Sequence, residues 1–111
     1  MEFITEQIYK LNDIFVCLDL YEDISDMDLA LKNKTKEKFT QIIEDIVSYN
    51  VGMATNSKND LPTFEEVCIL EISMDLTDKV YSAIQALEQD DNLILKECYE
   101  SILEAVEKLV E

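Results

Sequence analysis

The chain has 111 residues and carries 25 Asp and Glu against nine lysines, with no arginine and no histidine, for a formal net charge of −16. Such a chain repels phosphate backbones and anionic lipid and lacks Arg, the preferred bidentate reader of bases and phosphates, so direct nucleic-acid or membrane binding is not expected. Without histidine it also lacks the usual general base near neutral pH and the commonest nitrogen ligand of transition metals.

The composition is 48% apolar with one Gly and one Pro. That is enough to bury a core and offers few breaks in regular structure, so residues 1–111 read as a single folded domain. Ile4, Ile8, Leu11, Phe15 and Leu18 recur in steps of four and three, predicting a first helix from about Phe3 to Tyr21. Tyr9, Val16 and Leu20 make a second apolar stripe opposite Ile4, Ile8 and Phe15. It fits either a partner or dimer surface, or burial against the 25–33 segment.

Glu22, Asp23, Ser25, Asp26 and Asp28 then crowd a turn, with Ser25 placed to cap a short helical piece through Leu31. Lys32, Lys34, Lys36 and Lys38 wrap the start of the next helix and read as solvated, charge-balancing residues. Phe39, Ile42, Ile43, Ile46, Tyr49 and Met53 predict that helix over about Lys34 to Ala54. Residues 55–60 form a polar loop, and Pro62, Thr63 and Glu66 supply an N-terminal proline and a capping-box pattern for a third helix.

That helix has two apolar stripes. One holds Ile69, Ile72, Leu76, Val80, Ala83 and Leu87, and the other Val67, Leu70, Met74, Tyr81 and Ile84. Together they cover more than half the circumference, which predicts a helix that is central in the fold or shared with a second subunit. Gln89 to Asn92 break the pattern, with Asp90 or Asp91 as the next cap. A last helix turns Leu95, Cys98, Tyr99, Ile102, Ala105, Val106 and Leu109 inward. No segment shows the period-two alternation of a strand, so the expected fold is all-α, an antiparallel bundle of four main helices with room for a short fifth.

Cys17, Cys68 and Cys98 are widely spaced and each falls within an apolar helical pattern, so they read as reduced, buried packing residues. The N-terminal residues have no basic leader and no stretch approaches the ~20 apolar residues of a membrane span, so the expected location is the cytoplasm.

The sharpest feature is a row of acids. Asp90, Glu97, Glu100, Glu104, Glu107 and Glu111 advance by sevens, threes and fours, which at ~100° per residue places them in one arc opposite the apolar face. Neighbours in such a row stand ~5–6 Å apart at Cβ, close to the spacing of successive phosphates along a nucleic-acid strand. A second group, Asp19, Glu22, Asp23, Asp26 and Asp28, follows the first helix.

The ordinary reading of both groups is a solvated helix face and acid-rich helix ends, with Glu104 paired to Lys108. Against it, a surface selected only for solubility mixes its signs, and here the lysines do not cancel the row. Carboxylate pairs such as Asp75 and Asp78 suit Mg²⁺ in all-α nucleotide pyrophosphohydrolases, but the clustered Glu partner on a neighbouring helix is missing, so no catalysis and no cofactor are expected.

The expected function is binding. The acidic surface steers onto the cationic cleft of a basic protein target, such as a nuclease, toxin or nucleic-acid-binding effector, and occludes it stoichiometrically. Toxin-immunity proteins, anti-CRISPR proteins and DNA-mimicking phage inhibitors share this physics, as an analogy of size and charge. Tyr9, Tyr21, Tyr49 and Tyr99 are candidate aromatic anchors. The alternative is a helical assembly module, a secretion chaperone or homodimeric subunit that uses the extra apolar stripes.

Overall fold

A computed structural model describes residues 2–18, 23–56 and 63–110, with their side chains except at 54–56 and 110. Among them are four helices, α1 (Glu2–Leu18), α2 (Leu29–Asn56), α3 (Phe64–Gln89) and α4 (Asn92–Val110), and a 3₁₀ turn at Ile24–Asp26. The fold is the all-α antiparallel four-helix bundle that the periodicity predicts. Among the described residues no helix is long and apolar enough to cross a membrane.

The helices form a closed ring in which α1 packs on α4 and α2, and α3 packs on α2 and α4, while the α1–α3 diagonal is lighter. Ile4, Ile8, Leu11, Phe15 and Leu18 of α1 are all buried. Phe15 sits between Phe39 of α2, at 5.4 Å between ring centroids, and Tyr99 of α4, at 5.6 Å and nearly parallel, so one aromatic side chain ties three helices together. Near the other end of α1, Phe3 stacks on Tyr49 at 4.1 Å.

Several boundaries differ from the periodic reading, each for a local reason. The segment after α1 is a single 3₁₀ turn whose cap is Asp23, accepting from the Ser25 N–H at 3.0 Å, so Ser25 receives the cap and does not supply it. Leu29 to Leu31 already belong to α2, because Asp28 caps that helix by accepting from the Leu31 N–H at 2.8 Å. Thr55 and Asn56 extend α2 beyond the expected end, and the rest of the predicted loop, with Pro62, lies outside the described residues.

The start of α3 is as predicted. Thr63 accepts from the Glu66 N–H, and the Glu66 carboxylate accepts from the Thr63 N–H. At its other end Asp90 takes a left-handed conformation, φ 53°, which a short polar side chain tolerates better than most. Asp90 is therefore the C-cap of α3, and Asp91 is the residue that caps α4, accepting from the Ile94 N–H at 3.1 Å.

The cysteines divide. Cys98 is buried, Cys68 intermediate and Cys17 exposed, which corrects the reading of all three as buried: Cys17 falls between Val16 and Leu18, on the flank of α1 that turns outward. Burial among apolar neighbours raises the Cys98 thiol above its ordinary pKa, helped by the nearby Glu97 charge.

The α3 helix packs on the three other helices, yet its second apolar stripe is not covered within the chain. Ile69, Leu76, Val80, Ala83 and Leu87 are buried, whereas Val67, Leu70, Met74 and Tyr81 are exposed. On α1, Tyr9 and Val16 are likewise exposed and not buried against the following segment.

Candidate acidic binding surface

Four of the predicted binding residues form the surface expected of them. Leu95, Cys98 and Ile102 turn α4 inward, so Glu97, Glu100, Glu104 and Glu107 project outward on the opposite side, and all four are exposed. The ion pairs formed among the described residues are Lys10 with Glu6, Lys32 with Asp90, Lys36 with Glu88 and Lys79 with Asp75. None involves Glu97, Glu100, Glu104 or Glu107, and the anticipated Glu104–Lys108 pair is not among them.

Asp90 leaves the row. As the C-cap of α3 it sits in the turn before α4, and its carboxylate binds Lys32. Lys36 reaches Glu88 at 3.7 Å in the last turn of α3. Since α3 has no basic residue of its own there, these two lysines of α2 supply the positive charge that its C-terminal dipole favours. Two lysines of the cluster that reads from sequence as solvated therefore join α2 to the end of α3, while Lys34 and Lys38 are exposed as expected.

The second acidic group meets α4 at its N-terminal end. The Asn92 side-chain N–H donates to Asp23 at 3.0 Å, and the Asn92 carbonyl oxygen accepts from the Ile24 N–H at 2.8 Å. Asp23, Asp26 and Asp28 are exposed there, while Asp19, Glu22 and Glu111 lie outside the described residues. Asp23 and Asp28 are also structural caps, so only part of their acceptor capacity faces outward. The Asn92 hydrogen bond, followed by the bonds to Ser25, holds the Asp23 carboxyl below its ordinary pKa.

The arrangement thus offers one unpaired stripe of carboxylates along α4 and a smaller acidic corner at its start. It is suited to long-range attraction of cations and to hydrogen bonds with Lys and Arg. For proton or metal chemistry the Asp75 carboxylate is held by Lys79 at 2.6 Å, and no three Asp, Glu or Cys side chains among the described residues converge on a metal-sized site.

Of the candidate aromatic anchors, Tyr9 is exposed, Tyr49 and Tyr99 are half-buried in ring stacks, and Tyr21 lies outside the described residues. Among the described residues the most exposed tyrosine is Tyr81, at 54%. It belongs to the second stripe of α3, and that stripe was the signal that could have found it. Comparison with known families, curated proteins and solved structures returns no match, so the functional reading stands on these residues.

Proposed function

We propose that this protein binds a basic macromolecular target through the carboxylates of α4 and the adjoining acidic corner, and inhibits it by stoichiometric occlusion. The observation that carries this reading is the unpaired row of Glu97, Glu100, Glu104 and Glu107 in a chain whose lysines are partly committed to ion pairs elsewhere. Exposed like charges three and four residues apart destabilise a helix slightly, and a cationic partner relieves that repulsion. Toxin-immunity and phage-encoded counter-defence roles, including anti-CRISPR activity and DNA mimicry, are specific forms of this function.

The test is capture of partners from lysates of the source cell and of competing strains by the wild type and by a variant with Glu97, Glu100, Glu104 and Glu107 all changed to Gln. Washes at about 0.1 M and 0.5 M salt shorten the screening length from ~10 Å to roughly half. A nuclease or nucleic-acid-binding protein held by the wild type at low salt, lost by the variant, and inhibited when the purified components are mixed would support the proposal. Equal retention and inhibition by the variant would remove α4 from the interface.

A further inference from the structure

The Lys36–Glu88 ion pair marks the seam where α2 and α3 meet, and beyond it, alongside polar residues such as Thr40 and Thr77, the seam carries apolar side chains that stay open to solvent. Val47 follows Lys36 by eleven residues, which at ~100° per residue brings it back to within ~20° of the same line on α2. On α3, Tyr81, Met74 and Leu70 precede Glu88 by seven, fourteen and eighteen residues and fall within ~40° of its line. From the ion pair the helices run antiparallel at ~1.5 Å per residue, so Val47 lies level with the gap between Tyr81 and Met74.

By helical register these four side chains line the outer side of the α2–α3 seam. Their exposures are 51% for Val47, 38% for Leu70, 67% for Met74 and 54% for Tyr81. Together they present on the order of a few hundred Å² of apolar surface, the scale at which a patch on a soluble domain marks an interaction site. The strip lies on the α2 side of α3, whereas Asp78 on the crest of α3 also borders the next groove, toward α4, together with Glu97.

The charges around the strip choose its occupant. Glu44 of α2 borders one side, and Asp78 and Glu71 of α3 border the other, all exposed. Among the described residues the lysine on this line of the seam, Lys36, is about three turns away from Val47 and engaged with Glu88. A second copy of this chain, itself at −16, would bring acidic rim against acidic rim. An amphipathic helix with an apolar stripe flanked by Lys or Arg would fill the seam and neutralise both rims, laying a third helix into the groove between two.

We infer that the outer face of α2 and α3 is a docking groove for a basic amphipathic helix of a partner protein, anchored on Met74 and Tyr81 and flanked by Glu44, Glu71 and Asp78. Its apolar anchors lie outside the α4 row, although the flanking Asp78 shares a groove with Glu97, so the two readings are tested by different substitutions. The length from Leu70 to Tyr81 corresponds to about three helical turns, enough to seat apolar residues at i, i+4, i+7 and i+11 of the incoming helix.

The test uses a synthetic Leu/Lys peptide of eighteen residues with leucines at helical spacing, and a scrambled peptide of the same composition. Binding is followed by fluorescence anisotropy and by amide shift mapping on the full chain. The expected result is saturable one-to-one binding with shifts centred on Val47, Leu70, Met74 and Tyr81. The double variant Met74→Ser, Tyr81→Ser, which alters only exposed side chains, should weaken it at least tenfold. Neutralising Glu100, Glu104 and Glu107 of α4, which lie outside the groove that Asp78 shares with Glu97, should leave it within about twofold.

Equal affinity for the scrambled peptide, shifts centred on α4, or no binding would each overturn the inference. So would a homodimer that the double variant disperses in sedimentation equilibrium, since the face would then belong to a second copy. Loss of the α4 effect in the capture experiment would leave this result unchanged, which keeps the two failures distinguishable.

Discussion

Asn92 and Ile24 are 68 residues apart in sequence and joined by a 2.8 Å hydrogen bond, in which the side-chain oxygen at the first residue of α4 accepts from the backbone N–H of the 3₁₀ turn. The Ile24 side chain is buried, so this bond anchors the connection between α1 and α2 onto the opposite corner of the bundle. Asn92→Ala leaves that part-buried N–H without its acceptor and should destabilise the fold by about 1–2 kcal/mol in chemical denaturation. A change within about 0.3 kcal/mol would mean that another acceptor takes over.

The same residue sets an acid-side pH dependence. Asp23 has its pKa lowered from the ordinary 3.8, first by the Asn92 hydrogen bond and then by the bonds to Ser25. A depressed carboxyl contributes stability that is fully present above its unfolded-state value and is lost as pH falls through the folded-state value. The window therefore lies at and below pH 3.8. In a carboxyl-carbon NMR titration, Asn92→Ala should move the Asp23 midpoint upward toward the ordinary value. An unmoved midpoint would show that Ser25 and the Lys32 charge hold the shift without Asn92.

The helices were legible because their buried positions keep step with the helical period. Ile4 to Leu18 and Ile69 to Leu87 read directly as the inner faces of α1 and α3, and Thr63 with Glu66 announces its own cap. The row on α4 was legible for the same reason, since its acids occupy the positions the core leaves over. What escaped were pairings between distant segments. Nothing local in Asn92 points to Ile24, and nothing in Lys32 or Lys36 points to the end of α3. The place of Asp90 depended on which of two adjacent acids turns left-handed, a choice that Ala86 makes by accepting both the Asp90 and Asp91 N–H groups. The second stripe of α3 was visible, but its exposure is a property of the ring of helices.

Two polar residues lie in core positions where periodicity would place apolar ones. Gln7 is three residues after Ile4 and four before Leu11, and Ser73 is four after Ile69 and three before Leu76. They are 1% and 0% exposed, and neither Gln7 Oε1 nor Ser73 Oγ has a protein partner. A buried polar atom without a partner costs desolvation that an apolar replacement of similar size avoids. Ser73→Ala and Gln7→Met should each leave the fold equally stable or stabilise it, by up to about 1 kcal/mol. A loss of more than about 1 kcal/mol in either variant would show that its polar atom is satisfied in solution.

Phe39 represents the opposite case. It is fully buried and its ring is tilted at 50° to Phe15, whose other neighbour is Tyr99. Phe39→Ala should cost about 3–5 kcal/mol, a large fraction of what a domain of this size has to spare. Phe39→Leu should retain the fold with a smaller loss. If the two variants unfold at the same denaturant concentration, the aromatic cluster is not what holds α1, α2 and α4 together.

The α4 row makes a prediction about stability that is separate from any partner. Its neighbours Glu97 and Glu100, Glu100 and Glu104, and Glu104 and Glu107 are like charges at three or four residues, each repelling by a few tenths of a kcal/mol. Glu107 adds a negative charge in the last turn of α4, where the helix dipole favours a positive one and only Lys108 supplies it. Changing all four to Gln should therefore raise the thermal midpoint at low salt, corresponding to about 1 kcal/mol in total, and the gain should shrink by 0.5 M salt as screening removes the repulsion. A variant that is less stable than wild type, or a gain that ignores salt, would mean that the glutamates serve the fold itself. Stabilisation on neutralisation is the outcome consistent with a surface maintained for a partner at the expense of the free protein.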